Sequence, residues 1–459
     1  MRLPASFRFP RHLWVYLLLA LSAGALIGYL IGGESDEGQS TQTDKAPAGV
    51  VPVRLVRTKL GYQLLRGGKA FFIKGGAGLQ YFDKLKAAGA NSLRLWSTDY
   101  ADDRIKEAHR HGLTVMLGLW LEPESKLDYH DNGQVERQKA RLRQEILRYR
   151  HHPALLAWNI GNELDFGPGS PQMYRAINDV AQMIHKLDPY HPTTTSLSSD
   201  FGNLNRVKRS CPDLDFISVN SFGNLTTLAD RLEKGGWSGP YVVTEFGARG
   251  YWESPKTTWG SAKEQSSTEK AKFTRERYEK AILGHQDKCL GSYAFYWGNK
   301  FEYTRTWYSL FAATGEKTAT VDLMQELWSG QRPHNLAPRI TGLAFVGTYA
   351  KKDPKLRVGT DFSAHVTVTD PEADSLRIEW KVFRDMDMST MPNDIRMATP
   401  TEVAENSVRT ANGTQVTVYA PARPGAYRLA VSVYDGKGSV ATANVPFFVK
   451  AGDKALGSK

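Results

Sequence analysis

The sequence predicts an α/β chain: a (β/α)8 barrel, a smaller all-β sandwich after it and a transmembrane helix in front. Three observations carry this. Between residues 51 and 335, eight short β-rich apolar runs alternate with amphipathic stretches. From 336 onward helical patterning stops, and alternating runs are punctuated by turn residues. Residues 13–33 carry no charge. A chain of 459 residues has room for one large and one small domain.

Residues 13–33 (LWVYLLLALSAGALIGYLIGG) are long enough to cross about 30 Å of hydrocarbon as a helix. Arg2, Arg8 and Arg11 precede them, and Glu34, Asp36 and Glu37 follow. That asymmetry predicts a cytoplasmic tail over 1–12 and export of everything beyond the helix. A cleaved signal peptide is the competing reading, but the apolar run continues through Ile27, Leu30 and Ile31, longer than a signal h-region. Residues 34–50 are polar, with Pro and Gly, and read as a flexible linker. The expectation is a single-pass inner (plasma) membrane protein with its catalytic domain periplasmic.

The expected barrel strands are 71–75, 92–96, 114–120, 155–160, 193–197, 215–220, 241–245 and 292–297. Helical patterns lie between or after them, at 134–150, 173–187, 268–283 and 321–328; Ile177, Val180, Ala181 and Ile184 follow one helical face. The stretch Lys74-Gly75-Gly76-Ala77-Gly78 lacks both the phosphate-loop and the dinucleotide spacing, so it gives little support to nucleotide binding. Residues 336–450 then show strand runs at 340–346, 362–369, 376–383, 415–419, 427–434 and 440–449, before a tail over 451–459. Asp370-Pro371-Glu372-Ala373-Asp374, Asn412-Gly413 and Asp435-Gly436 mark turns. Asp370, Glu372 and Asp374 could supply oxygen ligands to calcium, and turn chemistry accounts for them as well.

Composition narrows the function. Hydrophobic residues at 41% exclude a polytopic membrane protein and a disordered chain. Two cysteines exclude a disulfide framework and a four-thiolate zinc site; Cys211 and Cys289 could form one bridge at most. His111, His130, His152 and His191 are scattered without H-E-x-x-H spacing, so neither a catalytic metal nor another cofactor is expected. The net charge of +11 on an exported surface suits an acidic glycan or an anionic membrane face better than nucleic acid.

In such barrels the chemistry sits where the strands end. The ends carry Arg94 and Trp96, Trp120, Asn162 and Glu163, Asn220, Glu245, and Trp297. Two carboxylates across one barrel mouth suit glycoside hydrolysis, in which one protonates the leaving oxygen and the other attacks the sugar or activates water. Arg94 would keep Glu245 ionised. Asn162 and Asn220 would meet sugar hydroxyls. Trp96, Trp120 and Trp297 would offer flat faces to sugar rings, with Trp252, Trp259, Trp307 and Tyr308 in the longer loops as further sugar-stacking candidates.

The run Arg150-His151-His152-Pro153-Ala154-Leu155-Leu156-Ala157-Trp158-Asn159-Ile160-Gly161-Asn162-Glu163 resembles the acid/base segment of glycoside hydrolase family 2 barrels, and Val242-Val243-Thr244-Glu245-Phe246-Gly247-Ala248 resembles their nucleophile strand. Phe71–Gly75 and Gly89–Arg94 resemble the first two strands of that family. The resemblance implies a retaining mechanism of the wider clan A, with Glu163 as acid/base and Glu245 as nucleophile. Two departures stand out. An anchor and linker replace the domains that usually precede the barrel, and Asn220-Ser221-Phe222 stands where the family often has a Tyr. Residues 336–450, through Trp380 and the 424–436 stretch, resemble polycystic-kidney-disease (PKD) and cadherin-like immunoglobulin modules. The expected function is a membrane-anchored retaining glycosidase or transglycosylase acting on a β-glycan, with polysaccharide biosynthesis or export machinery as a candidate partner. A non-catalytic polysaccharide-binding or scaffold protein of an export assembly is the alternative.

Overall fold

Eight parallel strands close on themselves in the computed structural model, which describes residues 46–167, 169–199, 201–347, 352–386 and 401–451. A small antiparallel sheet comes first: β1 (Val53–Thr58), β2 (Gly61–Arg66) and β3 (Lys69–Phe71). The barrel follows as β4 (Ile73–Ala77), β5 (Ser92–Leu95), β6 (Thr114–Leu119), β7 (Leu155–Asn162), β8 (Thr193–Leu197), β9 (Ile217–Asn220), β10 (Tyr241–Phe246) and β11 (Cys289–Phe295). β11 pairs back onto β4 and closes the ring. Each barrel strand overlaps one expected run. Such strands are covered on both faces, so they read as continuous apolar runs without alternation; every residue of β5, β6 and β10 is buried.

The helices around the barrel bury the predicted stripes. Pro171–Leu187 is capped by the Ser170 side chain, carries Pro at its start, and buries Ile177, Val180, Ala181 and Ile184. Ser267–Arg277 opens with a reciprocal capping box between Ser266 and Glu269. Trp158, fully buried on β7, donates its indole N–H to Asp188 at 2.8 Å, so this tryptophan of the acid/base segment serves structure.

The remaining strands are β12 (Arg339–Phe345), β13 (Lys355–Arg357), β14 (Asp361–Thr369), β15 (Arg377–Arg384), β16 (Val408–Asn412), β17 (Gln415–Tyr419), β18 (Gly425–Tyr434) and β19 (Val440–Lys450). They form two four-stranded sheets, β12-β14-β17-β16 and β13-β19-β18-β15, over one apolar core. Phe345 and Phe362 of one sheet meet Phe447 of the other, with ring centroids 5.9 and 5.3 Å away. Asp370 and Asp374 converge with Asp435 rather than with Glu372, which accepts from the Leu336 amide.

Charge, not only apolar surface, joins the sandwich to the barrel. Glu264 and Lys270 form a buried pair at 2.5 Å, and Thr304 and Thr306 donate to the same carboxylate at 2.7 and 2.8 Å. Asn444 of β19 also donates to Glu264. Arg428 of β18, 3% exposed, donates to Asp385 (2.6 Å), Asn444 (2.8 Å) and the carbonyl of Ala262 (2.6 Å). From Ala46 onward the chain forms one compact unit.

Several expectations are corrected. Among the described residues no helix is long and apolar enough to cross a membrane. The longest α-helix, Asn132–Tyr149, has 18 residues and carries Glu136, Arg137, Lys139, Arg141, Arg143, Glu145 and Arg148. Residues 13–33, on which the anchor rested, lie outside the described residues. The membrane anchor is therefore withdrawn, together with the single-pass topology, the periplasmic location and the export partnership inferred from it. Cys211 and Cys289 are both free and buried, so they form no bridge.

The seam makes a specific prediction. Lys270→Met leaves Glu264 buried without its cation and should cost about 3–5 kcal/mol in urea unfolding. Adding Glu264→Gln should restore much of that loss, since the amide oxygen can still accept from Thr304 and its NH2 can donate to the Thr306 hydroxyl.

Candidate active site

Arg94 is the centre of the barrel mouth. Its side chain is fully buried, and it reaches four neighbours from β5. Nη1 donates to Glu245 Oε1 at 2.6 Å and to the Thr244 carbonyl at 3.2 Å. Nη2 donates to Asn162 Oδ1 at 2.6 Å and to Ser196 Oγ at 3.1 Å. The indole N–H of Trp96 gives Glu245 Oε1 a second short bond, 2.8 Å. Glu245 Oε1 therefore accepts from one cation and one neutral donor.

Glu163 has a different setting. β7 ends at Asn162, and the chain turns there with Gly161 and Glu163 both at positive φ, 71° and 52°. A Cβ at position 161 would come within 2.6 Å of Leu164, so glycine is required at this turn. The positive φ of Glu163 is strained for a side-chain-bearing residue. The turn is pinned by the Glu163 amide, which donates to the Ser196 carbonyl at 2.8 Å. Asn220 Nδ2 donates to Glu163 Oε1 at 3.0 Å and to Asn162 Oδ1 at 3.2 Å, while its own Oδ1 accepts from Thr244 at 2.9 Å. Burial, then the negative charge of Glu245, pushes the Glu163 carboxyl up to about 7. The two carboxyl groups thus sense each other across the mouth, and Glu163 is the one left holding a proton.

The structure brings together Glu163, Glu245, Arg94, Trp96, Asn162 and Asn220. Trp120 stands at the end of β6, partly exposed, its carbonyl accepting from Arg141 at 2.6 Å. Trp297 is a correction. It is fully buried, its indole N–H donates to the Tyr81 carbonyl at 3.1 Å, and its ring packs on Phe311 and Trp328 at 5.4 and 5.7 Å. β11 ends at Phe295, so side-chain alternation does not extend to 297. The aromatic at that rim is Tyr296, stacked on Trp96 with centroids 6.0 Å apart. Trp307 and Tyr308 are also buried, and Trp259 lies against Phe448 of the sandwich. Trp252, 53% exposed, is the loop tryptophan most open to a sugar.

Sequence reasoning missed Ser196, Thr244, Tyr251, Lys300 and Glu302. Ser196, near the end of a predicted strand, was within reach of the strand-end rule. Thr244, inside β10 beside Glu245, was within its reach too, whereas Tyr251, Lys300 and Glu302 needed the loops. Burial raises the Tyr251 hydroxyl to about 12, helped by the charges of Glu302 and Glu163. Glu302 is raised by burial, lowered in part by Lys300, and raised further by Glu245. A third carboxylate therefore faces the same bowl.

The fold is a closed (β/α)8 barrel with two carboxylates at its mouth, and part of its sequence is similar to one family of such barrels. Residues 85–302 match the pattern described as "Glycosyl hydrolases family 2, TIM barrel domain". Among curated proteins the chain is similar to β-glucuronidase of Pongo abelii, 25% identical over 197 residues covering 38% of this chain and 28% of that protein. It is similar to β-glucuronidase of Homo sapiens at 25% over 199 residues, with the same shares. It thus spans little more than a quarter of these relatives' length. Among solved structures, a β-galacturonidase from Eisenbergiella tayi bound to galacturonate matches at 15% identity and a TM-score of 0.47, over 61% of this chain and 54% of that one.

The raised Glu163 has a consequence for stability. The folded state keeps this proton above the pH at which the unfolded chain, near 4.5, releases it. Stability should therefore fall as pH climbs from about 4.5 to about 7 and level off above, by at most roughly 3 kcal/mol. Glu163→Gln removes the penalty, so thermal melts should show the variant more stable than wild type at pH 8 and equal to it at pH 4.5.

Proposed function

We propose that the chain is a retaining glycosidase or transglycosylase that cleaves a β-linked oligo- or polysaccharide by double displacement. Glu245 attacks the anomeric carbon while Glu163 gives its proton to the departing glycosidic oxygen. Glu163, now a carboxylate, then takes a proton from water or a sugar hydroxyl, which attacks the same carbon and releases Glu245. Proton count and charge close over the cycle. The observation that carries this reading is the contrast between two facing carboxylates. One accepts short hydrogen bonds from the Arg94 guanidinium and the Trp96 indole, while burial and the first carboxylate push the other toward the neutral acid.

Asn162 and Asn220, on either side of Glu163, suit hydrogen bonding to the hydroxyl next to the reacting centre. Trp252, beside Phe222 and Tyr251, offers a flat apolar face to a sugar beyond it. Residues 51–335 are read as the catalytic unit and 336–450 as a module of PKD or cadherin type packed on it. The relatives' names point to uronides, but the short coverage leaves the sugar to be argued from this site.

A 2-fluoro glycoside panel should trap a covalent adduct on Glu245, located by peptide mass spectrometry; an adduct on any other residue refutes the assignment. Glu163→Gln should lower kcat by about 10²- to 10⁴-fold on substrates whose leaving group needs protonation. Activity should also fall as pH rises through about 7, where Glu163 loses its proton.

A further inference from the structure

Lys300 and Glu302, on the loop after β11, form an ion pair at 2.5 Å. Their side chains are 23% and 9% exposed. Two routes place them at the bowl. Lys300 Nζ lies 5.1 and 6.0 Å from the ring centroids of Phe295 and Tyr296, and both rings pack on Trp96, which bonds Glu245. Glu302 is also near enough to Glu245 and Tyr251 for their charges to interact.

The pair is held rigidly. Ser309 Oγ accepts from the Lys300 amide and donates to the Lys300 carbonyl, both at 2.9 Å. Glu302 and Thr304 exchange two backbone hydrogen bonds, and Thr304 is tied to buried Glu264 in the sandwich seam.

We propose that this pair is a specificity determinant that selects a neutral sugar and disfavours one bearing a carboxylate. The inference rests on the glycosidase reading above and names its substrate class. The charges decide it. Arg94 is committed to Glu245 and Lys300 to Glu302, so each of these two cations already has a carboxylate partner. A carboxylate arriving at Lys300 would have to share one ammonium with Glu302 and meet like charge. A hydroxyl meets no such conflict. The ammonium keeps donors to spare after bonding Glu302, and the Glu302 carboxylate has several acceptor sites. Adjacent donor and acceptor groups of this kind match a pair of sugar hydroxyls, one accepting and one donating.

The test is calorimetric titration of the full chain with isofagomine-type iminosugars, neutral and C6-carboxylated, in gluco and galacto configurations. Wild type should bind the better neutral form at least tenfold more tightly than its carboxylated counterpart. Glu302→Gln frees Lys300 and should shift that ratio at least tenfold toward the carboxylate. Lys300→Met, which keeps the acceptor and loses the donors, should weaken the neutral ligand about tenfold and serves if Glu302→Gln does not fold. A wild type that prefers the carboxylate, or a ratio that Glu302→Gln leaves unchanged, overturns the inference. So does a Lys300→Met variant with undiminished affinity for the neutral ligand. Labelling of Glu245 by the 2-fluoro glycoside separates the two layers. Labelling with the wrong preference refutes the ion-pair inference alone, whereas no labelling and no binding of any form refutes both.

Discussion

The buried guanidinium of Arg94 is the constraint around which the barrel mouth is built. A cation removed from water costs far more than any single contact returns, so it persists only if every neighbour compensates. The neighbours come from β7, β8 and β10: Asn162, Ser196, the Thr244 carbonyl and Glu245. Four strands are thereby held in register at their C-terminal ends by one side chain. The same ion pair bears on the second carboxyl, because the negative charge of Glu245 adds to burial in raising Glu163. On the proposed mechanism, a contact that the fold requires thus also helps separate the roles of the two carboxyl groups.

The logic recurs at the seam. Arg428 and Lys270 are buried cations whose partners, Asp385 and Glu264, lie next to the loops that wall the site. Arg428 holds the Ala262 carbonyl, and the Ala262 amide donates to the Tyr303 hydroxyl at 2.8 Å. Tyr303 stacks on Tyr251, with centroids 5.1 Å apart. The path from β18 of the sandwich to the bowl is short and contains no exposed link. The second domain therefore acts physically as a wall that positions the loops after β10 and β11, whatever else it binds.

How much of this was legible in the sequence follows from what each signal measures. Parallel barrel strands are buried on both sides, so most stood out as apolar runs, and β8 (TTTSL) by its β-branched threonines. The short polar strands β1 and β2, half exposed, carried no such mark. The strand-end rule placed six of the eight predicted site residues in one hydrogen-bonded cluster because it depends only on where strands stop. It failed at Trp297, where the strand had already ended, and loop aromatics such as Trp307 proved to be core. Lys300 and Glu302 were invisible for a related reason: loop residues have no periodicity, and their placement depends on long-range ties such as Thr304 to Glu264. The anchor inferred from 13–33 rested on local hydropathy and flanking charge, and no helix among the described residues is long and apolar enough to cross a membrane.

The two carboxylates also differ in what would be lost by exchanging their settings. Glu245 lies within β10, buried on all sides, so its orientation is fixed by the sheet and its charge by Arg94. Glu163 sits one residue past β7, at a strained φ, held by one amide donor and two backbone bonds. A nucleophile must hold a fixed approach line to the anomeric carbon, and the strand provides that rigidity. An acid that later serves as base must change protonation state within each cycle. A full cationic partner would lock it as a carboxylate, whereas the Asn220 amide stabilises the anion without holding it there. Arg94 could not serve both groups. It bonds Glu245 directly and is linked to Glu163 by hydrogen bonds only through Asn162 and Asn220. The asymmetry of one buried cation is therefore what divides attack from protonation at this site.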